Sequence, residues 1–259
     1  MKALMLAAGL GRRLYGDENA ELPKALLKFD GQTLLQRHIE TLVACGVDEL
    51  VLVVGHRSDD ILSEADRVAP ADFVSSFFNP RYREGPRLSL AAGGDVMRSG
   101  DQILFMDADV LYHPHLMQRL INSEHENCFV MDREFQSTDA FVEVCLREGV
   151  IVDFGKQVTK QHDTIGEWPG FFKMAPSVAA GIADRVDAFI ASGEIEGAYE
   201  EAFRDEMWAH APGAFGVEDI TGVPWVEIDS PTDLEKATSK VFPRITDFDY
   251  DAADEVKSA

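Results

Sequence analysis

Two pairs of carboxylates and one glycine-rich, doubly basic loop carry most of the chemistry available to this 259-residue chain. The run Ile103-Leu104-Phe105-Met106 leads into Asp107-Ala108-Asp109, and Trp225-Val226 leads into Glu227-Ile228-Asp229-Ser230-Pro231. Alternation along an extended chain puts Asp107 with Asp109, and Glu227 with Asp229, on one face each. Acids at the end of a buried strand are costly unless something neutralises them. A few carboxylates together with substrate phosphates make the oxygen-rich environment that Mg²⁺ prefers. The competing role for the first pair is an Asx turn or a helix cap ahead of His113-Pro114.

The loop runs Leu6-Ala7-Ala8-Gly9-Leu10-Gly11-Arg12-Arg13-Leu14, with Pro23-Lys24 shortly after. Small residues let backbone N–H groups approach a polyphosphate, and Arg12, Arg13 and Lys24 bring the opposing charge. Gly9-x-Gly11 alone equally fits a tight strand-to-helix turn. The dinucleotide fingerprint requires a third small residue three positions after Gly11, where Leu14 stands. A phosphate-binding P-loop would need a closing Gly-Lys-Ser/Thr, which is absent.

The elements that must position these groups follow a βαβα rhythm in the first half. Strands are expected over Ala3–Leu6, Glu49–Val54, Asp72–Phe77 and Gln102–Met106, with helices over Thr33–Cys45, Asp59–Val68 and Leu88–Met97. That order predicts an α/β, Rossmann-like, mostly parallel sheet with helices on both faces. In the second half a hairpin is expected from Ala140–Leu146 and Val150–Phe154, then a strand Gly170–Met174. Helices over Ser177–Ala191 and Tyr199–Ala209 follow, with a last buried strand Val226–Ile228 and a helix from near Pro231. This half reads as a smaller substrate subdomain laid over the carboxyl edge of the sheet. The expected organisation is a single domain over residues 1–242, with a nucleotide half to about 135 and an acceptor half from 136. An acidic, solvated tail over 243–259 completes the chain.

The full string Leu6-Ala7-Ala8-Gly9-x-Gly11-x-Arg13-Leu14 with Pro23-Lys24 resembles the signature of the sugar-nucleotidyltransferase superfamily. Asn79-Pro80 through Ser89-Leu90, Met106-Asp107-Ala108-Asp109 and Glu227-Ile228-Asp229-Ser230 look most like its phosphocholine cytidylyltransferase branch. The likeness extends to Lys240 and is weakest between Gln157 and Val223. The resemblance implies CTP as donor and a small phosphorylated or phosphonylated acceptor, with release of pyrophosphate. It implies that Asp109 and Asp229 hold a catalytic Mg²⁺, with Asp107 and Glu227 serving the same or a second ion. It also places Gly85 and Ser89 against base and sugar, and Lys156 on the phosphate of the acceptor. Arg13 and Lys24 would hold the triphosphate, and positioning with electrostatics would carry the displacement without a nucleophilic side chain.

The head group of the acceptor stays open. A quaternary ammonium calls for aromatic faces with acid nearby. Trp168, Tyr199 and Phe203 are the candidates, supported by Phe171, Phe172 and Trp208 and by Glu200, Glu201 and Glu218. Such aromatics also serve as core. Arg204, next to Phe203, would repel a cation or clamp an anion. A sugar-1-phosphate or molybdopterin-type nucleotidyltransferase shares the loop and the acids. A non-catalytic nucleotide-sensing domain would keep the fold alone.

Composition narrows the partners. A formal net charge of −22, from 46 acidic and 24 basic residues, disfavours a nucleic-acid surface. Cys45, Cys128 and Cys145 form no CxxC pair and read as small buried hydrophobes in a reducing cytoplasm. Arg12 and Arg13 end the first apolar run, which argues against a signal peptide, and no segment reaches the ~18 apolar residues of a membrane span. His113-Pro114-His115 reads as a surface loop rather than a soft-metal site.

Overall fold

Five of the six residues of Glu49–Val54 are buried, so this strand is apolar on both faces and has to lie inside a sheet covered on both sides. It pairs in parallel with Lys2–Ala7, from Lys2 opposite Glu49 to Ala7 opposite Val54. The computed structural model describes residues 1–16, 22–134 and 141–248. Among them a seven-stranded sheet runs in the order Gly216–Asp219, Cys128–Met131, Phe171–Met174, Ile103–Asp107, Lys2–Ala7, Glu49–Val54, Val74–Phe78. Phe171–Met174 is antiparallel to both neighbours, and every other pairing in this sheet is parallel. The Rossmann-like α/β expectation therefore holds.

The expected division near residue 135 does not divide the sheet. Phe171–Met174 and Gly216–Asp219 both come from the second half and sit within the large sheet. What stands apart is a three-stranded antiparallel sheet of Glu143–Arg147, Val150–Gly155 and Thr164–Glu167. It joins the main body through a bridge between Asp132 and Glu167, just beyond the carboxyl end of Cys128–Met131. Ala140, the first residue of the expected hairpin, lies outside the described residues.

The helix expected over Leu88–Met97 is two, Pro86–Ala92 and Gly94–Met97. A Cβ on Gly93 would come within 2.8 Å of the Leu4 side chain, so the break allows close approach to the first strand. The boundary at 243 also moves. Phe242–Asp247 is helical, and Phe242 and Ile245 pack on a small cluster that includes Leu14, Leu111 and Val226. The rest of the expected tail, from residue 249, lies outside the described residues. His115 is buried and opens a helix, His115–Asn122, rather than standing in a surface loop.

Glu167 gives the fold a measurable pH signature. Burial pushes its carboxyl up to about 7, Lys236 opposes this, and Asp132 and Asp233 add to the rise. A folded-state pKa above the unfolded one means that stability falls as pH rises from about 4.5 to about 7. Glu167→Gln is expected to raise the melting temperature at pH 8 and to leave it near parental at pH 4.5. The difference corresponds to at most about 3 kcal/mol. Equal melting temperatures for the two proteins at pH 8 would refute it.

Candidate active site

The first strand ends at Ala7 and the chain turns through Gly9 and Gly11 into the short helix Arg12–Tyr15. Gly11 has φ 67°, a left-handed backbone that favours glycine. After Pro23 a 3₁₀ turn, Lys24–Leu26, buries Ala25 and Leu26 as anchors. These anchors hold Lys24 over the acids: its Nζ donates to Asp109 Oδ2 at 2.9 Å and to Asp229 Oδ1 at 2.6 Å. Arg13 Nη2 meets the same Asp229 oxygen at 2.7 Å, from a side chain that is 62% exposed. Burial alone would lower the Lys24 pKa, but Asp109 and Asp229 outweigh it and raise it above the ordinary lysine value. The ammonium is therefore charged across the physiological range.

Two distant segments meet at these acids. Trp225–Glu227 pairs antiparallel with Val110–Tyr112, and the Ile228 N–H donates to the Asp109 carbonyl at 3.0 Å. Ser230 and Asp233 form a capping box on Pro231–Lys236, which fixes the chain just after Asp229. As a result, one oxygen each from Asp109, Glu227 and Asp229 lie within 4.8 Å of one another. An all-oxygen, all-carboxylate set of this size fits a hard divalent cation such as Mg²⁺. Burial, then the charges of Asp109, Asp229 and Asp107, raise the Glu227 carboxyl well above the ordinary range. A cation added there would reverse that balance.

Asp107 falls outside this trio. The strand ends at Asp107, so alternation does not carry through to Asp109. Its Oδ2 instead accepts from the Tyr199 hydroxyl at 2.6 Å, and a Cβ on Gly170 would crowd the same oxygen. Burial and the nearby Asp109 charge raise its carboxyl pKa, while the Tyr199 hydrogen bond works against them. Asp107 still faces the same cleft as Asp109.

That cleft has a volume of about 410 Å³. The glycine loop from Leu6 to Arg13, with Lys24, forms one wall, and Gly85 and Ser89 contribute to another. Lys156, Tyr199 and Glu200 close the far side, with Lys156 Nζ 3.8 Å from Glu200 Oε1. Burial raises the Glu200 carboxyl, and Lys156 holds it back. Three expected acceptor contacts, Trp168, Phe203 and Arg204, are not among the residues that line the cleft. Phe203 is fully buried, and Trp168 is nearly so, donating from Nε1 to the Phe171 carbonyl at 2.8 Å. Both belong to an aromatic core with Phe105 and Phe154. Arg204 has its guanidinium 4.9 Å from the Trp208 ring instead.

Tyr82 and Arg83 line the cleft in addition to the residues expected from the sequence, and Glu200, expected only as an acid near the aromatic candidates, lines it too. Glu200 carried a signal, as an acid beside an expected helix start. Buried His38 carried none. Its ring nitrogens lie 3.3 Å from the Ala108 carbonyl and 3.2 Å from the Tyr112 hydroxyl, behind the acidic turn. Burial lowers its pKa to about 4, so the ring is neutral at pH 7.

A family model for the MobA-like NTP transferase domain matches residues 3–162. Over 243 residues the chain is 28% identical to the bifunctional IPC transferase and DIPP synthase of Rubrobacter xylanophilus, covering 92% of this chain and 51% of that protein. It is 26% identical to the CMP-5'-(3-aminopropyl)phosphonate synthase of Streptomyces rubellomurinus, covering 94% of this chain and 39% of that protein. The chain thus spans about half of the first relative's length and about two fifths of the second's. It matches the whole length of the CTP:phosphoglutamine cytidylyltransferase of Campylobacter jejuni at 24% identity, with 93% of this chain covered. The inositol-1-phosphate CTP transferase of T. maritima has a similar fold, with a TM-score of 0.73, 22% identity, and 95% and 94% of the two chains covered. The CTP:phosphocholine cytidylyltransferase of Streptococcus pneumoniae gives 0.72 at 20% identity, covering 92% and 97%.

Proposed function

This chain belongs to the MobA-like NTP transferase family, and from that premise we propose that it is a Mg²⁺-dependent cytidylyltransferase. It would join CMP from CTP to a small phosphorylated or phosphonylated acceptor and release pyrophosphate. The observation that carries this reading is Lys24 bridging Asp109 and Asp229, with Lys24 and Asp109 lining the same cleft as the glycine loop. The relatives and neighbours support the donor and acceptor class: by their names, three of those given above use CTP and a fourth makes a CMP-linked phosphonate. A cytoplasmic location belongs to the same reading. It is supported by three free thiols and by the lack, among the described residues, of a helix long and apolar enough to cross a membrane.

In this reading the backbone around Gly9 and Gly11, with Arg13 and Lys24, holds the triphosphate and offsets the charge of the departing pyrophosphate. Gly85 and Ser89 face the nucleoside. Asp109, Glu227 and Asp229 would hold Mg²⁺, which when bound offsets phosphate charge and aligns the reacting groups. Lys156 orients the acceptor phosphate, whose oxygen attacks the α-phosphorus in line. Arg13 is exposed and paired only at its tip, so it can exchange Asp229 for a phosphate at little cost.

Asp153 sets the position of Lys156. It is fully buried, and its Oδ2 accepts the backbone N–H of Thr159 at 2.7 Å and of Lys160 at 2.9 Å, folding the segment after Lys156 back on itself. Asp153→Asn is expected to raise the acceptor KM by roughly tenfold or more with CTP affinity near parental. An unchanged acceptor KM would remove Asp153 from the account.

The reading is tested by pyrophosphate release with Mg²⁺ across the four NTPs and a panel of acceptors. Phosphocholine, phosphoethanolamine, 2-aminoethylphosphonate, inositol phosphate and hexose-1-phosphates would form the panel. Release with CTP and one non-sugar acceptor supports it. Release only with a hexose-1-phosphate and another NTP would transfer the chain to the sugar-nucleotide class.

A further inference from the structure

Arg87 sits inside the protein at 0% exposure, as the second residue of the helix Pro86–Ala92 whose start lines the nucleotide side of the cleft. A buried guanidinium is tolerated only when its donors are satisfied. Here they are spent across the molecule, on residues 194–201. Nη1 donates to the Glu194 carbonyl at 2.5 Å, Nε to the Ala198 carbonyl at 3.2 Å, and Nη2 to the Glu201 carboxylate. The guanidinium also lies 4.1 Å from the Phe189 ring centroid. The segment wraps so closely that a Cβ on Gly197 would run into the Arg87 guanidinium, and one on Gly85 would come within 2.9 Å of the Ile195 carbonyl oxygen.

The residue next to the anchored Ala198 carbonyl is Tyr199, whose hydroxyl holds Asp107, and the next is Glu200, which faces Lys156. All three of Ala198, Tyr199 and Glu200 line the cleft. We propose that Arg87 is a positioning residue that ties the nucleotide-side helix to the acceptor-side segment 194–200 and so sets the geometry of Tyr199 and Glu200 toward the acceptor. The proposal rests on the cytidylyltransferase reading for the identity of the acceptor side. Three donors in a fixed fork reach three different acceptors, an arrangement that lysine cannot reproduce. Carbonyls and a carboxylate left without the fork would let the segment shift. Displacement of a substrate-positioning group by about an ångström can cost up to ~100-fold.

Two variants test this from opposite sides of the contact. Arg87→Lys keeps the charge and removes the fork, while Gly197→Ala keeps Arg87 and forces it off the segment. Both are expected to raise the acceptor KM by about 10- to 100-fold with CTP dissociation constants within about threefold of parental. In a Tyr199→Phe, Glu200→Gln background, Arg87→Lys should add little to the acceptor KM, because the changes act on the same two groups. Amide hydrogen exchange is expected to speed up over residues 194–200 in both variants and to stay parental in the central strands. Parental exchange in that segment would overturn the proposal whether or not the chain turns over substrate. So would a loss of CTP and acceptor affinity in equal measure, which marks a general structural defect. A parental chain that releases no pyrophosphate with any acceptor, while the exchange result holds, would count against the cytidylyltransferase reading and leave the strut in place.

Discussion

Lys24→Met is expected to lower turnover by ~10²–10³-fold, the loss typical of removing one preorganised donor from developing negative charge. The fold should survive, because Ala25 and Leu26 keep the turn anchored. Its stability should now depend on the medium. Without the ammonium, Asp109 and Asp229 face Glu227 with Arg13 still on Asp229, and undercompensated carboxylates repel. The variant should therefore melt below the parent in metal-free buffer. Added Mg²⁺ should lift its melting temperature more than it lifts that of the parent, since the ion takes over the charge that Lys24 supplied. Thermal melts with and without Mg²⁺, beside initial rates, check both halves. Near-parental turnover would remove Lys24 from the chemistry.

Asp229→Asn should lose comparable activity for a different reason. One oxygen of Asp229 receives both Lys24 and Arg13, and the residue is one of the three carboxylates that converge. The amide preserves volume and leaves the Ser230–Asp233 capping box intact. Both cationic contacts weaken together, and the half-saturating Mg²⁺ concentration should rise about tenfold or more. Pyrophosphate release titrated against Mg²⁺ measures this. An unchanged Mg²⁺ requirement would show that the three carboxylates are not the ion's site.

The parts of the site that were legible in the sequence are those written in contiguous strings. The loop from Leu6 to Leu14 and the two acid runs each combine a strand with its chemistry, and the Pro23-Lys24 pair follows closely on the loop, so local pattern suffices to nominate them. The alternating βαβα half of the fold was legible for the same reason. What stayed hidden depends on contacts between distant segments. Arg87 reads as an ordinary helix residue until residues 194–201 close over it. Trp168 and Phe203 have the composition of a ligand cage, but the small sheet folds them into the core. The strand Gly216–Asp219, with the sequence Gly-Val-Glu-Asp, shows neither alternation nor an apolar run, and it exists because Cys128–Met131 offers it a parallel edge. Alternation groups Asp107 with Asp109 by a period that holds only within a strand, and the strand stops two residues short of Asp109.

The most direct test of the central claim follows the phosphorus. CTP labelled at the α-phosphate, incubated with the chain, Mg²⁺ and each candidate acceptor, should pass its label into a CMP-linked product while unlabelled pyrophosphate is released in equal amount. Label that remains in CTP or in CDP, with γ-phosphate appearing on the acceptor instead, would contradict the account and make the cleft a site for phosphoryl rather than nucleotidyl transfer.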